Sequence, residues 1–295
     1  MTLPQRIAVT GASGLIGTAL IGHLKSEGHT VQKLVRRPVV SPDEIKWDPI
    51  AGTVDLAALE GVDAVIHLAG ANVGDKRWTK KYRAEILNSR LLGTTTISNA
   101  VNQVKPQVFI SASAIGWYGE TGNRAVSESD RPGDDFLAAV CKEWEAAADI
   151  ASATRVVKIR TGLVLDPTGG ALGKMLPLFR FGLGGKLGNG KQWWSWITLH
   201  DQIRAMMFLM NSKIEGAVNL TSPNPVTNQE FTASLARILK RPALFPAPAF
   251  ALKAVLGGFS SEVLGSKKVI PQVLTDAKFE FEFPFVSDAL TALID

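Results

Sequence analysis

The residues with the clearest chemistry are three glycines, Gly11, Gly14 and Gly17, set between an apolar run and an amphipathic one. A turn without side chains lets backbone N–H groups and the first turn of a helix meet an anion such as a pyrophosphate. Position carries more than pattern, because the mechanism works only at the first strand-to-helix turn; there it predicts a dinucleotide site. At the end of the next apolar run, where a carboxylate would take the ribose 2′-hydroxyl of NAD, stand Arg36 and Arg37. Guanidinium groups bind a 2′-phosphate through charge-assisted, often bidentate hydrogen bonds, so NADP is expected rather than NAD. The single cysteine, Cys141, has no disulfide partner and no metal motif beside it, and it reads as a small buried apolar residue rather than a nucleophile. The four histidines show no metal-ligand spacing, so no metal is expected, and His67 and His200 read as structural.

These groups need a scaffold. Arg6 to Thr10 is a short apolar strand, and after the glycines comes a helix with apolar Leu15, Ala19, Ile21 and Leu24, closing near Gly28. Thr30–Val35, Asp63–Gly70, Gln107–Ser113 and Arg155–Ile159 are further predicted strands. Thr79 to about Val101 and Asp134 to Ala151 are predicted helices, the second with Asp134 or Asp135 as N-cap. Strands that are apolar on both faces and alternate with helices predict an α/β protein with a doubly wound parallel sheet. Beyond Asp166 glycines punctuate the chain up to Trp193-Trp194-Ser195-Trp196, a cluster that either lines a hydrophobic pocket or anchors a flap. The helical run Leu199–Met210 and the strand-like Ala217–Leu220 bring the chain back to the sheet. The expected division is a cofactor domain at 1–166, with 197–222 returning to it, and a smaller substrate lobe formed by 167–196 and 223–295.

Composition narrows the class. With 46% hydrophobic and 20% charged residues in 295, a disordered, collagenous or coiled-coil chain is excluded. The formal charge is +5, but Lys and Arg are dispersed with no run of five or more, and nucleic acid is not an expected partner. No apolar stretch approaches the roughly 20 residues of a spanning helix, and no membrane is expected. The opening residues lead straight into a strand without room for a signal peptide, and the lone cysteine suits a reducing, cytoplasmic setting.

Several segments together carry a family resemblance. Thr10–Gly17, His67-Leu68-Ala69-Gly70 and Ser111–Gly119 resemble an extended short-chain dehydrogenase/reductase. Glu85–Arg90, Arg160–Leu165, Gly182–Gly185, Val218–Asn228 and Gly265–Pro271 narrow this to the poorly characterised NAD(P)-dependent epimerase-family proteins of that type. The resemblance spans nearly the whole chain and implies a Rossmann fold with an NADP-binding site. It implies that Gly11, Ser13, Gly14, Leu15 and Ile16 wrap the pyrophosphate, that Arg36 and Arg37 meet the 2′-phosphate, and that Leu68 and Ala69 pass beneath the adenosine side. It also places Glu85 and Arg90 near the cofactor, although five residues on a helix turn them about 140° apart. Arg160, at the carboxyl end of its strand, is a third such candidate.

The catalytic pattern departs from that family. Short-chain dehydrogenases, which the chain resembles, normally use Tyr-x-x-x-Lys on one helix, the lysine lowering the tyrosine pKa. Here Lys142 is on a suitable helix, but Ala138 stands four residues earlier, and the chain has only two tyrosines, Tyr82 and Tyr118. Ser113 matches the hydroxyl that polarises a substrate carbonyl, and Tyr118 has suitable chemistry just beyond that strand. Ser113, Tyr118 and Lys142 are the candidate catalytic residues. The reading is an NADP(H)-dependent oxidoreductase or epimerase acting on a small-molecule substrate, with a homodimer left open. Its alternative is a non-catalytic NADP(H)-binding regulator or redox sensor, which the missing tyrosine would allow.

Overall fold

The computed structural model describes residues 3–294. The chain begins β1 (Arg6–Thr10), α1 (Leu15–Ser26), β2 (Thr30–Val35), β3 (Glu44–Asp48), β4 (Thr53–Val54), α2 (Leu56–Leu59), β5 (Ala64–His67) and α3 (Lys80–Val104). It continues through β6 (Val108–Ala114), β7 (Ala125–Val126), α4 (Phe136–Ala148), β8 (Arg155–Thr161), β9 (Leu163–Asp166) and α5 (Gly170–Arg180). Then follow β10 (Trp193–Trp194), β11 (Trp196–Thr198), α6 (Leu199–Asn211), β12 (Gly216–Leu220), β13 (Val226–Thr227) and α7 (Asn228–Ile238). The tail holds α8 (Ala249–Leu256), α9 (Ser260–Leu264), β14 (Lys268–Val269), α10 (Gln272–Asp276) and α11 (Val286–Ile294).

Eight strands form one sheet in the order β12-β8-β6-β5-β1-β2-β3-β4, parallel throughout except for β3 against β4. From β1 the chain builds outward through β2 and β3, then returns to β5 on the other side and builds the opposite way. The carboxyl ends of β1 and β5 therefore flank a topological switch point, where such sheets bind ligands. The central strands are buried on both faces: all of β5 and Ile7–Thr10 of β1 are inaccessible. One face packs on α1 and α6 through Leu20, Leu24, Met206 and Leu209, the other on α3 and Trp47 through Ile97 and Val101. This is a Rossmann fold.

β3 and β4 lie beyond the strands the sequence predicts, and the helix expected over 134–151 is shorter, running Phe136–Ala148 from an Asp135 cap. The lobe has its own core around Leu172, Phe179, Trp196, Phe231 and Leu290. Two short ladders fasten it, β11 beside β9 and β14 beside β7, and a third, β10 against β13, joins its two segments. Ser195, between β10 and β11, ties that segment to β14, since its hydroxyl donates to the Lys267 carbonyl and accepts from the Val269 N–H.

Candidate functional site

The three glycines have three different jobs. Gly11 has φ +68°, and a Cβ there would stand 2.8–2.9 Å from the backbone of Leu68 and Ala69, so the turn lies directly on the end of β5. A Cβ on Gly17 would lie 2.2 Å from the Gly11 carbonyl oxygen, which makes Gly17 the point of closest helix-to-turn packing. At Gly14 a Cβ would meet only that oxygen, at 3.4 Å, and the space above it is otherwise open. Helices α3, α4, α6 and α7 open on Thr79, Asp135, Thr198 and Thr227, whose side chains accept from backbone N–H groups. α1 opens on Gly14 without a side-chain cap and without an acid in its first turn. Its free N–H groups and positive dipole end are thus left for an external anion. Ser13 is exposed at this mouth, Leu15 packs against Gly169 at the start of α5, and Ile16 packs on the core.

Beneath the turn, the Thr10 hydroxyl accepts from the N–H groups of Leu68 and Ala69 at 3.0 and 3.2 Å and lies 2.7 Å from His67 Nδ1. With both lone pairs engaged, the hydroxyl hydrogen goes to Nδ1, and His67 is neutral with its proton on Nε2. Nε2 has no hydrogen-bond partner among the described residues, and the ring stands edge-on to Trp47. Burial pulls the His67 pKa down to about 3. His67 and Thr10 brace the two strand ends that carry the site.

Arg36 and Arg37 are not equivalent. Arg36 is exposed and forms no ion pair with a described residue, whereas Arg37 grips both oxygens of Glu44, with Nη1 at 2.8 Å. Glu44, at the start of β3, also accepts from the Val40 N–H, and the Arg37 hydrogen bond holds its carboxyl below the usual range. Glu85 is exposed and pairs with Lys76 at 3.8 Å. Arg90 is drawn in: its Nη1 donates to the carbonyls of Ala71 and Ile86, and its guanidinium lies 4.7 Å over the Trp144 ring. It has no carboxylate partner among the described residues, and burial lowers its pKa. A Cβ on Gly70 would rest 3.4 Å from its Cζ, so Arg90 sits against the loop that leaves β5.

The remaining candidates converge on one buried network. Arg160 donates from Nε and Nη2 to the two oxygens of Glu145 at 2.8 and 2.9 Å, and Ser113 donates to the same carboxylate at 2.7 Å. Arg160 Nη1 reaches the Tyr118 hydroxyl at 3.0 Å, and that hydroxyl donates to Asn219 Oδ1 at 2.7 Å. Asn219 in turn donates to the Ile270 carbonyl, and the Trp117 ring covers the guanidinium at 3.9 Å. Both members of the ion pair are buried. Arg160, expected from its strand end as a candidate near the cofactor, is thus engaged with Glu145. Burial pushes the Tyr118 hydroxyl up to about 12, against the pull of Arg160. Lys142 is not brought in: Cys141 and Glu145, four apart, share the inward face of α4, and Lys142 is exposed on the next face round. Cys141 lies against Gly116 and the Ala114 carbonyl, its thiol pushed up to about 12 by burial.

The sequence reading missed Glu145, Asn219 and Glu44. The signal available for Glu145 was a carboxylate on the apolar face of a helix, which needs a buried cation. It also missed a cleft of about 250 Å³ between the first turns of α3 and α4 and the lobe, lined by Trp78, Arg83, Phe136, Leu137 and Glu262. The tryptophans after the flap divide: Trp196 is fully buried in the lobe core, Trp194 packs at a tilt against Phe231, and Trp193 lies under the Lys268 ammonium at 3.9 Å.

Comparison with known proteins places this geometry. A model described as the NAD dependent epimerase/dehydratase family matches residues 7–221, and one described as a domain of unknown function, DUF1731, matches 247–293. An epimerase family protein of Mycobacterium leprae, ML0860, is 42% identical over 289 residues, covering 97% of this chain and 94% of its own. The crystal structure of human epimerase family protein SDR39U1, isoform 2, with NADPH superposes with a TM-score of 0.91 at 33% identity, covering 98% of each chain. A nucleoside-diphosphate sugar epimerase from Corynebacterium glutamicum gives 0.79 at 34% identity, over 98% of this chain and 57% of that one. The chain belongs to the NAD dependent epimerase/dehydratase family.

Proposed function

We propose that the chain binds NADP(H) at the carboxyl ends of β1, β2 and β5 and acts as an oxidoreductase or epimerase on a small substrate held between that crevice and the lobe. The observation that carries the reading is the glycine turn, with open space over Gly14 and an uncapped α1 behind it. The residues present fit the cofactor. Gly11, Ser13, Gly14, Leu15 and Ile16 would hold the pyrophosphate, Leu68 and Ala69 the adenosine side, and Arg90 would lend a cation from below. Arg36 would take the 2′-phosphate beside an Arg37 fixed by Glu44. The NADPH found with the human relative supports the same choice. In this reading residues 1–166 with 197–222 form the cofactor unit, and 167–196 with 223–295 close over the substrate. A cytoplasmic setting is part of the proposal.

The cofactor would supply hydride transfer at its nicotinamide. The chain's own contribution is Ser113: Glu145 holds its proton, which leaves its oxygen to accept a hydrogen bond from a substrate hydroxyl. Tyr118 keeps its proton at neutral pH and spends it on Asn219, so it is no general base. Because both hydroxyls are engaged within the protein, a second reading also has support: an NADP(H)-binding regulator or redox sensor without turnover.

Titration with NADPH, NADP⁺, NADH and NAD⁺, followed by nicotinamide fluorescence and thermal shift, tests the cofactor. Selective binding of the phosphorylated pair is expected, and Arg36→Ala should weaken NADPH about tenfold while leaving NADH unchanged. Equal affinities for all four would remove the 2′-phosphate assignment. A screen of carbonyl, alcohol and sugar-nucleotide substrates separates the two readings. Turnover lost in Ser113→Ala establishes the enzyme, and tight binding with no turnover establishes the sensor.

A further inference from the structure

The basic residues of the chain are dispersed, but the acids are not. No Asp or Glu occurs from Pro167 through His200 or from Phe231 through Ser261, while eight Lys and Arg do. Those stretches carry +8 and leave the rest of the chain at −3 of the total +5. They also adjoin in space. Gly182 packs on Pro242, the Phe245 N–H donates to the Gly184 carbonyl, and Leu187 pairs with Ala247. Along this seam the apolar residues face outward: Phe181 is 79% exposed, Phe250 77%, Leu244 74% and Phe245 59%, with Leu183 and Val255 beside them in the chain. Arg180, Lys240, Arg241 and Lys253 are exposed among them. None of the eight cations forms an ion pair with a described residue.

We propose that this face of the lobe attaches the protein peripherally to an anionic lipid bilayer. The boundary between headgroups and acyl chains accepts apolar side chains and cations together. A second copy fits poorly, because a two-fold interface would set this cationic face against itself. A nucleic acid fits less well, since bases could stack on Phe181, Phe245 and Phe250 but would leave the aliphatic Leu183, Leu244 and Val255 in water, whereas acyl chains take up both kinds. Among the described residues no helix is long and apolar enough to cross a membrane, so attachment is at the surface. α5 starts against Leu15 of the glycine turn and runs eleven residues to the seam, about 16 Å away, which leaves the crevice open.

Sedimentation of the full chain with vesicles of phosphatidylcholine alone, and of phosphatidylcholine with phosphatidylglycerol, tests this. Binding to the anionic vesicles only, reversed by salt, is expected. Phe181→Ser with Phe245→Ser, and separately Lys240→Glu with Arg241→Glu, should each weaken it about tenfold, with Tm and NADPH binding unchanged. The proposal is overturned if anionic vesicles fail to bind the wild type at low salt, or if both variants bind as it does. It is equally overturned if the variants instead dissolve a wild-type dimer or abolish retention on single-stranded DNA. Failure of NADPH binding would count against the cofactor reading and leave the vesicle result standing.

Discussion

His67 ends β5 and Cys141 lies on the inward face of α4, and burial removes each from acid–base work in the opposite direction. The His67 imidazole, with a folded pKa near 3 against about 6.5 when unfolded, is taken up by protons first in the unfolded chain. Its contribution to stability is therefore complete above about pH 6.5 and declines as pH falls toward 3, by at most about 1.4 kcal/mol per pH unit. His67→Gln, which can still accept from Thr10, should show a shallower loss on urea unfolding at about pH 7.5, 6 and 5. Identical slopes would mean that the ring is charged in the folded protein. The Cys141 thiol, pushed up to about 12, leaves almost no thiolate near neutrality. Native protein should resist maleimide at about pH 8 under conditions that label the denatured chain fully. Labelling of the folded protein would show that α4 lifts from Gly116. Single residues were legible in the sequence where chemistry alone fixes the partner. Arg36 and Arg37 look identical there, and only the position of Glu44 on β3 tells them apart.

At the scale of elements, the turn between β1 and α1 separates folding from binding. Gly17→Ala puts a methyl group into the Gly11 carbonyl at 2.2 Å, a backbone collision that only movement of the helix relieves. A loss of about 1–3 kcal/mol in urea unfolding is expected, together with loss of cofactor binding. Gly14→Ala differs on both counts. Its backbone, at φ −78° and ψ 169°, suits alanine, and the methyl group meets only the Gly11 oxygen at 3.4 Å. Stability should stay within about 0.5 kcal/mol while NADPH affinity falls at least about tenfold. Unchanged affinity in Gly14→Ala would show that the phosphates lie elsewhere. This turn was readable from sequence because buried parallel strands are continuous apolar runs and the glycines between them mark a contact that no side chain permits. β3 was missed although Glu44-Ile45-Lys46-Trp47-Asp48 alternates charged with apolar residues at a strand's period, because the other strands are continuous apolar runs and the burial of Glu44 depends on Arg37. The lobe's two-residue strands are too short for any periodicity.

Across the whole molecule, the Arg160–Glu145 pair links parts that have separate cores. It joins β8 to α4, Ser113 brings in β6, and Tyr118 with Asn219 extends the chain of contacts through β12 to the Ile270 carbonyl in the tail. The pair is buried on all sides, so neither charge can turn to water when its partner is removed. Arg160→Met should therefore destabilise by about 3–5 kcal/mol, because Glu145 would remain charged or take up a proton in an apolar site. Glu145→Leu should cost a similar amount for the converse reason. Combining them removes both desolvation penalties at once and leaves two apolar side chains of comparable bulk, so the double variant should recover at least about 2 kcal/mol relative to the two losses added. Equilibrium unfolding of the four proteins in urea gives this coupling directly. Additive losses would mean that the guanidinium acts through Trp117, Tyr118 and the Glu128 carbonyl alone, and that the sheet and the tail are held together without the ion pair.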